Sequence, residues 1–165
     1  RYRRTPPFTI RRGLALLRRK TPIRFRDSTF IDYGCGAGRV LFIAAESGFA
    51  RIIGLELSPA LVDICNANIT NYARRSDCGE ISVIRQNAMT YVPDADVNVF
   101  FFFVPFGSDV YLEVMQRIRE SLAAAPRTVY ILAIGSRLKA FSFVDEGARL
   151  IGSVEKLSIF EYGTQ

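Results

Sequence analysis

The stretch Phe30-Ile31-Asp32-Tyr33-Gly34-Cys35-Gly36-Ala37-Gly38-Arg39 decides how the chain is read. A short apolar run ends in an acid, a glycine-rich turn follows, and a helical pattern opens at Arg39 and runs to about Ser47. Open α/β sheets bind ligands at the carboxyl ends of their strands, where this turn would sit. The glycines let the backbone bend sharply and approach a ligand more closely than any side chain would allow. A helix start supplies free N–H groups and positive potential, which suit a carboxylate. Asp32 stands two residues before the first glycine and is placed to accept from an ammonium group. One ligand fragment satisfies both needs: a carboxylate and an ammonium on one carbon, as in a methionine moiety.

Downstream, Arg51 to Glu56 reads as a second strand that ends on a carboxylate twenty residues beyond Gly36. Glu56 can accept from both hydroxyls of a ribose. The adjacent Leu57 can cover one face of an adenine, and Asn87-Ala88, just past a third strand at Glu80 to Arg85, can read the adenine edge. The competing reading is a nicotinamide or flavin dinucleotide, whose G-x-G-x-x-G fingerprint needs glycine at position 39. Arg39 stands there, and the third glycine comes early, at Gly38. With Asp32, that favours S-adenosylmethionine. A purely structural turn would make Glu56 and Asn87 coincidences.

The rest of the chain alternates strand and helix, which implies a parallel sheet with right-handed crossovers. The first strand is expected at Thr29 to Tyr33. Ser58-Pro59 starts a helix with a serine cap and proline at its first position. In that helix Leu61, Ile64, Cys65, Ile69 and Tyr72 repeat at helical spacing. A fourth strand is expected over Asp96 to Val104 and a helix over Ser108 to about Ala124, with Tyr111, Val114, Met115, Ile118 and Leu122 inward. Thr128 to Ile134 is a fifth strand. Arg149 to Val154 and Leu157 to Tyr162 read as a closing hairpin. Ahead of all this, a basic amphipathic helix over Thr9 to Lys20 places Ile10, Leu14, Leu16 and Leu17 largely on one side. The division expected is a basic helical or lid segment at 1–27 and a cofactor-binding domain at 28–165.

These residues carry a resemblance. Asp32-Tyr33-Gly34-Cys35-Gly36-Ala37-Gly38 resembles motif I of the class I S-adenosylmethionine-dependent methyltransferases, and Glu56 matches their acid after the second strand. The likeness runs from about residue 28 to the end. It implies a Rossmann-like, doubly wound, mostly parallel seven-stranded sheet of order 3-2-1-4-5-7-6, with the last strand antiparallel and helices on both faces. It also implies a cofactor site made of Asp32, Gly34, Cys35, Gly36, Gly38, Glu56, Leu57, Asn87, Ala88 and Phe103. Two positions depart from the family pattern. Asn87 stands where aspartate is frequent. Phe103-Val104-Pro105-Phe106 is similar to motif IV of the Asn-Pro-Pro-Tyr type, with Val104 in the position of the asparagine. Valine cannot accept a hydrogen bond from a target amine, so methylation of an exocyclic amine or an amide by that device is disfavoured, unless a backbone carbonyl near Phe103 substitutes. Val104, Pro105 and Phe106 remain substrate-side candidates. Tyr2 and Thr5 resemble a Tyr-x-x-Thr-Pro element of some members and are expected to close over the methionine end of the cofactor.

Composition bounds the alternatives. At 165 residues and 49% hydrophobic, the chain fits one well-packed α/β domain. It contains no histidine, which excludes a histidine triad or histidine metal site, and its three cysteines lack zinc or disulfide-framework spacing. No metal is expected. No signal peptide or membrane span is visible: the apolar run Val97 to Phe106 is far shorter than the ~20 residues a spanning helix needs. A cytoplasmic protein is expected. The net charge of +6 is uneven, because residues 1 to 26 hold ten Arg/Lys and no acid, while the remainder holds twelve basic and sixteen acidic residues. The basic segment is either a docking surface for an anionic partner, RNA or acidic protein, or a solvated helix face.

Methyl transfer from a sulfonium is an in-line displacement that mainly needs alignment in a dry cleft. A base is required only for a protonated acceptor, and Tyr33, Tyr91 and Asp94 are the candidates. The expected function is a methyltransferase acting on a protein, RNA or small molecule. A non-catalytic cofactor-binding scaffold is the alternative, followed by a dinucleotide-binding protein.

Overall fold

A computed structural model of the chain describes residues 6–73, 79–103, 108–135 and 147–163. Its strands are β1 (Thr29–Tyr33), β2 (Arg51–Glu56), β3 (Glu80–Arg85), β4 (Val97–Phe103), β5 (Thr128–Ile134), β6 (Arg149–Val154) and β7 (Leu157–Gly163). They form one seven-stranded sheet of order β3-β2-β1-β4-β5-β7-β6. The first five strands are parallel, and β7 runs antiparallel to both β5 and β6. The helices are α1 (Pro7–Lys20), α2 (Arg39–Glu46), α3 (Pro59–Ala73) and α4 (Ser108–Ala124). This is the Rossmann-like arrangement expected from the sequence.

Because successive strand residues point to opposite faces, the apolar runs of β1 and β4 feed two cores. Phe30, Ile52, Phe101 and Leu132 pack with Ile10, Leu14 and Leu17 of α1, Leu41 of α2 and Cys65 of α3. Ile31, Ile53, Phe100 and Ile131 pack with Val114, Met115, Ile118 and Leu122 of α4. β4 lies between β1 and β5, which accounts for its nearly unbroken apolar sequence: both of its faces are covered.

Most element ends match the expectation, and the differences have local causes. α1 begins at Pro7, two residues early, because proline at the first helical position loses an N–H that has no helical partner anyway. β4 starts at Val97: Asp96 turns aside to accept from the Thr29 hydroxyl at 2.8 Å and to pair with Arg51 at 3.0 Å. On α3, Ile64 is 49% exposed although its spacing placed it inward. The buried seam there is narrower and runs through Cys65, Ile69 and Tyr72. Tyr2, Thr5, Val104, Pro105 and Phe106 lie outside the described residues. α1 packs continuously with the core of the following segment, since Ile10 and Leu17 are fully buried and Gly13 abuts Leu157 of β7.

The sheet has two unlike ends. At the N-terminal ends of the strands, Arg51 bridges Asp94 and Asp96, each at 3.0 Å, and Asn98 accepts from the Thr29 amide at 2.9 Å. At the opposite end lie the glycine turn, Glu56, Asn87 and Phe103.

Candidate cofactor site

The glycine turn is anchored to the end of β2. The amides of Gly34 and Cys35 both donate to the Leu55 carbonyl, at 2.8 and 2.9 Å. Gly34, Gly36 and Gly38 have φ of 81°, 54° and 92°, the left-handed region that only glycine enters at little cost. Gly38 is the N-cap of α2 and has no side chain to cap it, so the first amides of the helix are free of a capping side chain and available to an anion.

Glu56 closes the turn from the other side. One carboxylate oxygen accepts from the Gly36 amide at 3.0 Å, and the other accepts from the Leu57 and Ser58 amides at 2.8 and 2.9 Å. Glu56 is the last residue of β2, on the same edge of the sheet as the turn. Leu57 stands 62% exposed beside it, an apolar surface of the kind an adenine face covers. Ser58 then caps α3 as expected, its hydroxyl accepting from the Leu61 amide at 3.4 Å.

Asp32 is 3% exposed on the α2–α3 side of β1, next to Gly54 in register. Burial, then the potentials of Cys65 and Glu56, push its carboxyl up to about 8. A buried acid in that condition is complementary to a cation, and an ammonium brought to it would restore the carboxylate. Asn87 caps a single 3-10 turn (Ala88–Thr90), its carbonyl oxygen accepting from the Met89 amide at 2.9 Å. That leaves its amide N–H₂ as the group most free to read a base edge, so a ring-nitrogen acceptor fits it better than an amino donor. Ala88 is partly buried against the α4-side core, and Phe103 sits half-buried at the tip of β4.

The structure removes the three proposed bases. Asp94 belongs to the Arg51 ion pair at the far end of the sheet. Tyr33 is 1% exposed, stacks on Phe102 at 4.7 Å between centroids, and its hydroxyl is raised well above its ordinary range by burial and by Tyr91. Tyr91 is 7% exposed and is likewise raised, by burial and then Asp94. Burial keeps both phenols in their protonated form, which is not that of a base.

Two contributors escaped the sequence. Gly54 in β2 faces the turn: a Cβ there would lie 2.5 Å from the Cys35 sulfur and 2.9 Å from Leu41. Asn68 of α3 donates to the Ala37 carbonyl at 2.9 Å. Cys35 and Cys65 are free and buried, and the Cys35 thiol donates to the Gly36 carbonyl at 3.7 Å. Only a lone glycine in an apolar strand and a polar residue at seam spacing hinted at these roles.

A Rossmann-like sheet with an acid near the end of β1, a glycine turn after it and a second acid at the end of β2 is the arrangement in which open α/β sheets bind nucleotide ligands. The family described as "methyltransferase domain" matches residues 30–125, and the chain belongs to it. Its cofactor is S-adenosylmethionine, and the residues on the rim suit that group. Over 147 residues the chain is 28% identical to a tRNA (guanine-N(7)-)-methyltransferase of Arabidopsis thaliana, covering 82% of this chain and 57% of the relative. Over 120 residues it is 27% identical to a histone H3 lysine-79 N-methyltransferase of Dictyostelium discoideum, covering 67% of this chain and 6% of the relative. The chain thus spans little more than half of one of these relatives and a small part of the other. Among solved structures, the magnesium protoporphyrin IX methyltransferase of Synechocystis with bound cofactor aligns with a TM-score of 0.64 at 11% identity, covering 96% of this chain and 79% of that one. An rRNA methylase of Streptococcus thermophilus aligns with a TM-score of 0.63 at 12% identity, covering 99% and 100%. At these identities the structural likeness concerns the fold alone. Among the described residues no helix is long and apolar enough to cross a membrane.

Proposed function

We propose that the rim of β1, β2 and β3 holds S-adenosylmethionine and presents its methyl group to a ring nitrogen of RNA. Asp32 takes the ammonium, the turn and the start of α2 the carboxylate, Glu56 the ribose, and Leu57 and Asn87-Ala88 the adenine. The bound cofactor supplies an electrophilic sulfonium methyl. The chain contributes alignment and a site from which water is excluded.

What supports the choice of acceptor is that none of the three bases offered by the sequence is placed to remove a proton: Tyr33 and Tyr91 are buried, and Asp94 lies in the Arg51 ion pair at the far end of the sheet. The favoured acceptor therefore has a free lone pair before attack, as an unprotonated ring nitrogen does; the Arabidopsis relative is named for such an atom. Charge supports a polyanion. Of the basic residues near α1, Arg11 pairs with Glu46, Arg12 with Glu155 and Arg24 with Asp27, while Arg18 donates to the Ser47 carbonyl. Arg19, Lys20 and Arg26 are exposed and make no ion pair among the described residues. They sit near the N-terminal ends of β1 and β2, about 20 Å from the rim at the usual rise per strand residue. A folded RNA spans that distance; a small molecule does not.

The test is transfer of radiolabelled methyl to total RNA, total protein and small-metabolite fractions. Label in RNA that falls with rising salt, and falls again in an Arg19→Gln, Lys20→Gln, Arg26→Gln variant, is the expected result. Label in protein or in small molecules alone would overturn the RNA assignment.

A further inference from the structure

α3 touches the cofactor turn with one stripe of side chains. Cys65, Asn68 and Tyr72 lie three and four residues apart, on one helical face. The Cys65 sulfur packs against the turn, where it would be 2.8 Å from a Cβ on Gly38. Asn68 donates to the Ala37 carbonyl at 2.9 Å. Tyr72 stacks on Phe42 of α2 with 4.7 Å between centroids. The turn is therefore gripped from behind while its front faces the rim. Cys65 and Tyr72 make the contacts of an ordinary helix seam. Asn68 differs in that its side-chain amide is hydrogen-bonded to a backbone carbonyl of the turn.

We infer that Asn68 is a positioning residue for the amino-acid end of the cofactor, because its amide fixes the Ala37-Gly38 peptide from which α2 and its free amides begin. The inference rests on the assignment of the turn to the cofactor's carboxylate. A peptide group is planar, so the Ala37 carbonyl held by Asn68 and the Gly38 N–H, which donates to the Cys35 carbonyl at 2.9 Å, are set together. Gly38, at φ 92°, has no Cβ to restrict the torsions that lead from this peptide into α2. The Asn68 bond thus ties the start of α2 to α3, outside the turn. Losing it would blur the direction of the first α2 amides. The ribose and adenine contacts of Glu56, Leu57 and Asn87 do not depend on it.

The experiment compares S-adenosylhomocysteine with 5′-methylthioadenosine, which keeps adenine and ribose but has neither carboxylate nor ammonium. Calorimetric affinities of both are measured for the intact protein, for Asn68→Ala and for Asn68→Asp, which keeps the shape and loses the donor. Circular dichroism confirms that each variant is folded. The expected result is about tenfold weaker binding of S-adenosylhomocysteine to both variants, the loss of roughly one hydrogen bond, with methylthioadenosine unchanged. Equal affinities throughout, or equal losses for both ligands, would overturn the inference and leave Asn68 a packing residue. Failure of the intact protein to bind either ligand would instead sink the cofactor assignment on which it rests.

Discussion

In the proposed cofactor site, Asp32 and Glu56 have opposite preparations. Glu56 is already satisfied by three backbone amides, at Gly36, Leu57 and Ser58. Replacing it with alanine frees those amides and removes the ribose acceptor together, so binding of S-adenosylhomocysteine should weaken at least tenfold in a calorimetric titration. Asp32 is buried without compensation, and its carboxyl stands at about 8. The sign follows from its ordinary value of 3.8. Between those limits the folded chain holds a proton that the unfolded chain has lost, so this group's contribution to stability is full at low pH and lost as pH rises toward 8. Asp32→Asn should therefore raise the melting temperature of the cofactor-free protein at pH 8 and leave it nearly unchanged at pH 4. Cofactor binding needs the carboxylate ionised and the incoming ammonium charged. Affinity should thus climb from pH 6 to about 8 with proton release, detected as a dependence of binding heat on buffer ionisation. Both acids were legible in the sequence from their positions at the ends of β1 and β2. Their environments were not, because burial and hydrogen-bond partners arise only when α2, α3 and β2 converge.

The elements were legible because their signals are local: glycine after α2, serine and proline before α3, proline after α4, and unbroken apolar runs in β1 and β4. What remained hidden was how elements meet. Ile64 carries helical spacing yet faces outward, because α3 presents only a narrow seam to α2 and the turn. Gly54 reads as a weak point in β2, but it is where the Cys35 sulfur and Leu41 close on the sheet. Gly54→Val should destabilise the fold by about 1–3 kcal/mol through overpacking. Combined with Cys35→Ala, it should recover part of that loss, because the nearest clashing atom is gone. Denaturant unfolding of the two single variants and the double variant reads the coupling. Additive losses would mean that the strand relaxes away from the turn.

Over the whole molecule, the basic segment is the part whose sequence appearance and structural behaviour diverge most. Its charge suggests an arm reaching for a partner, yet α1 buries Ile10, Leu14, Leu16 and Leu17. Its arginines at positions 11, 12 and 18 are engaged with Glu46, Glu155 and the end of α2. Leu17→Ala should therefore cost about 2–5 kcal/mol of stability, read as a lowered denaturant midpoint, whereas truncation of a loose arm would cost almost nothing. Charge counting could not anticipate this, since pairing depends on which acids the fold brings alongside. The cleft, by contrast, follows from topology: β1 lies between β2 and β4, and the chain reverses direction across the sheet there, as in other nucleotide-binding α/β folds. The central claim is that this switch point, with Glu56 at its lip, holds the methyl donor. Calorimetric titration of S-adenosylmethionine into the intact protein and into Glu56→Ala tests it most directly. The account predicts saturable one-site binding to the first and a loss of at least tenfold in the second. Equal binding to both proteins would place the cofactor elsewhere and contradict it.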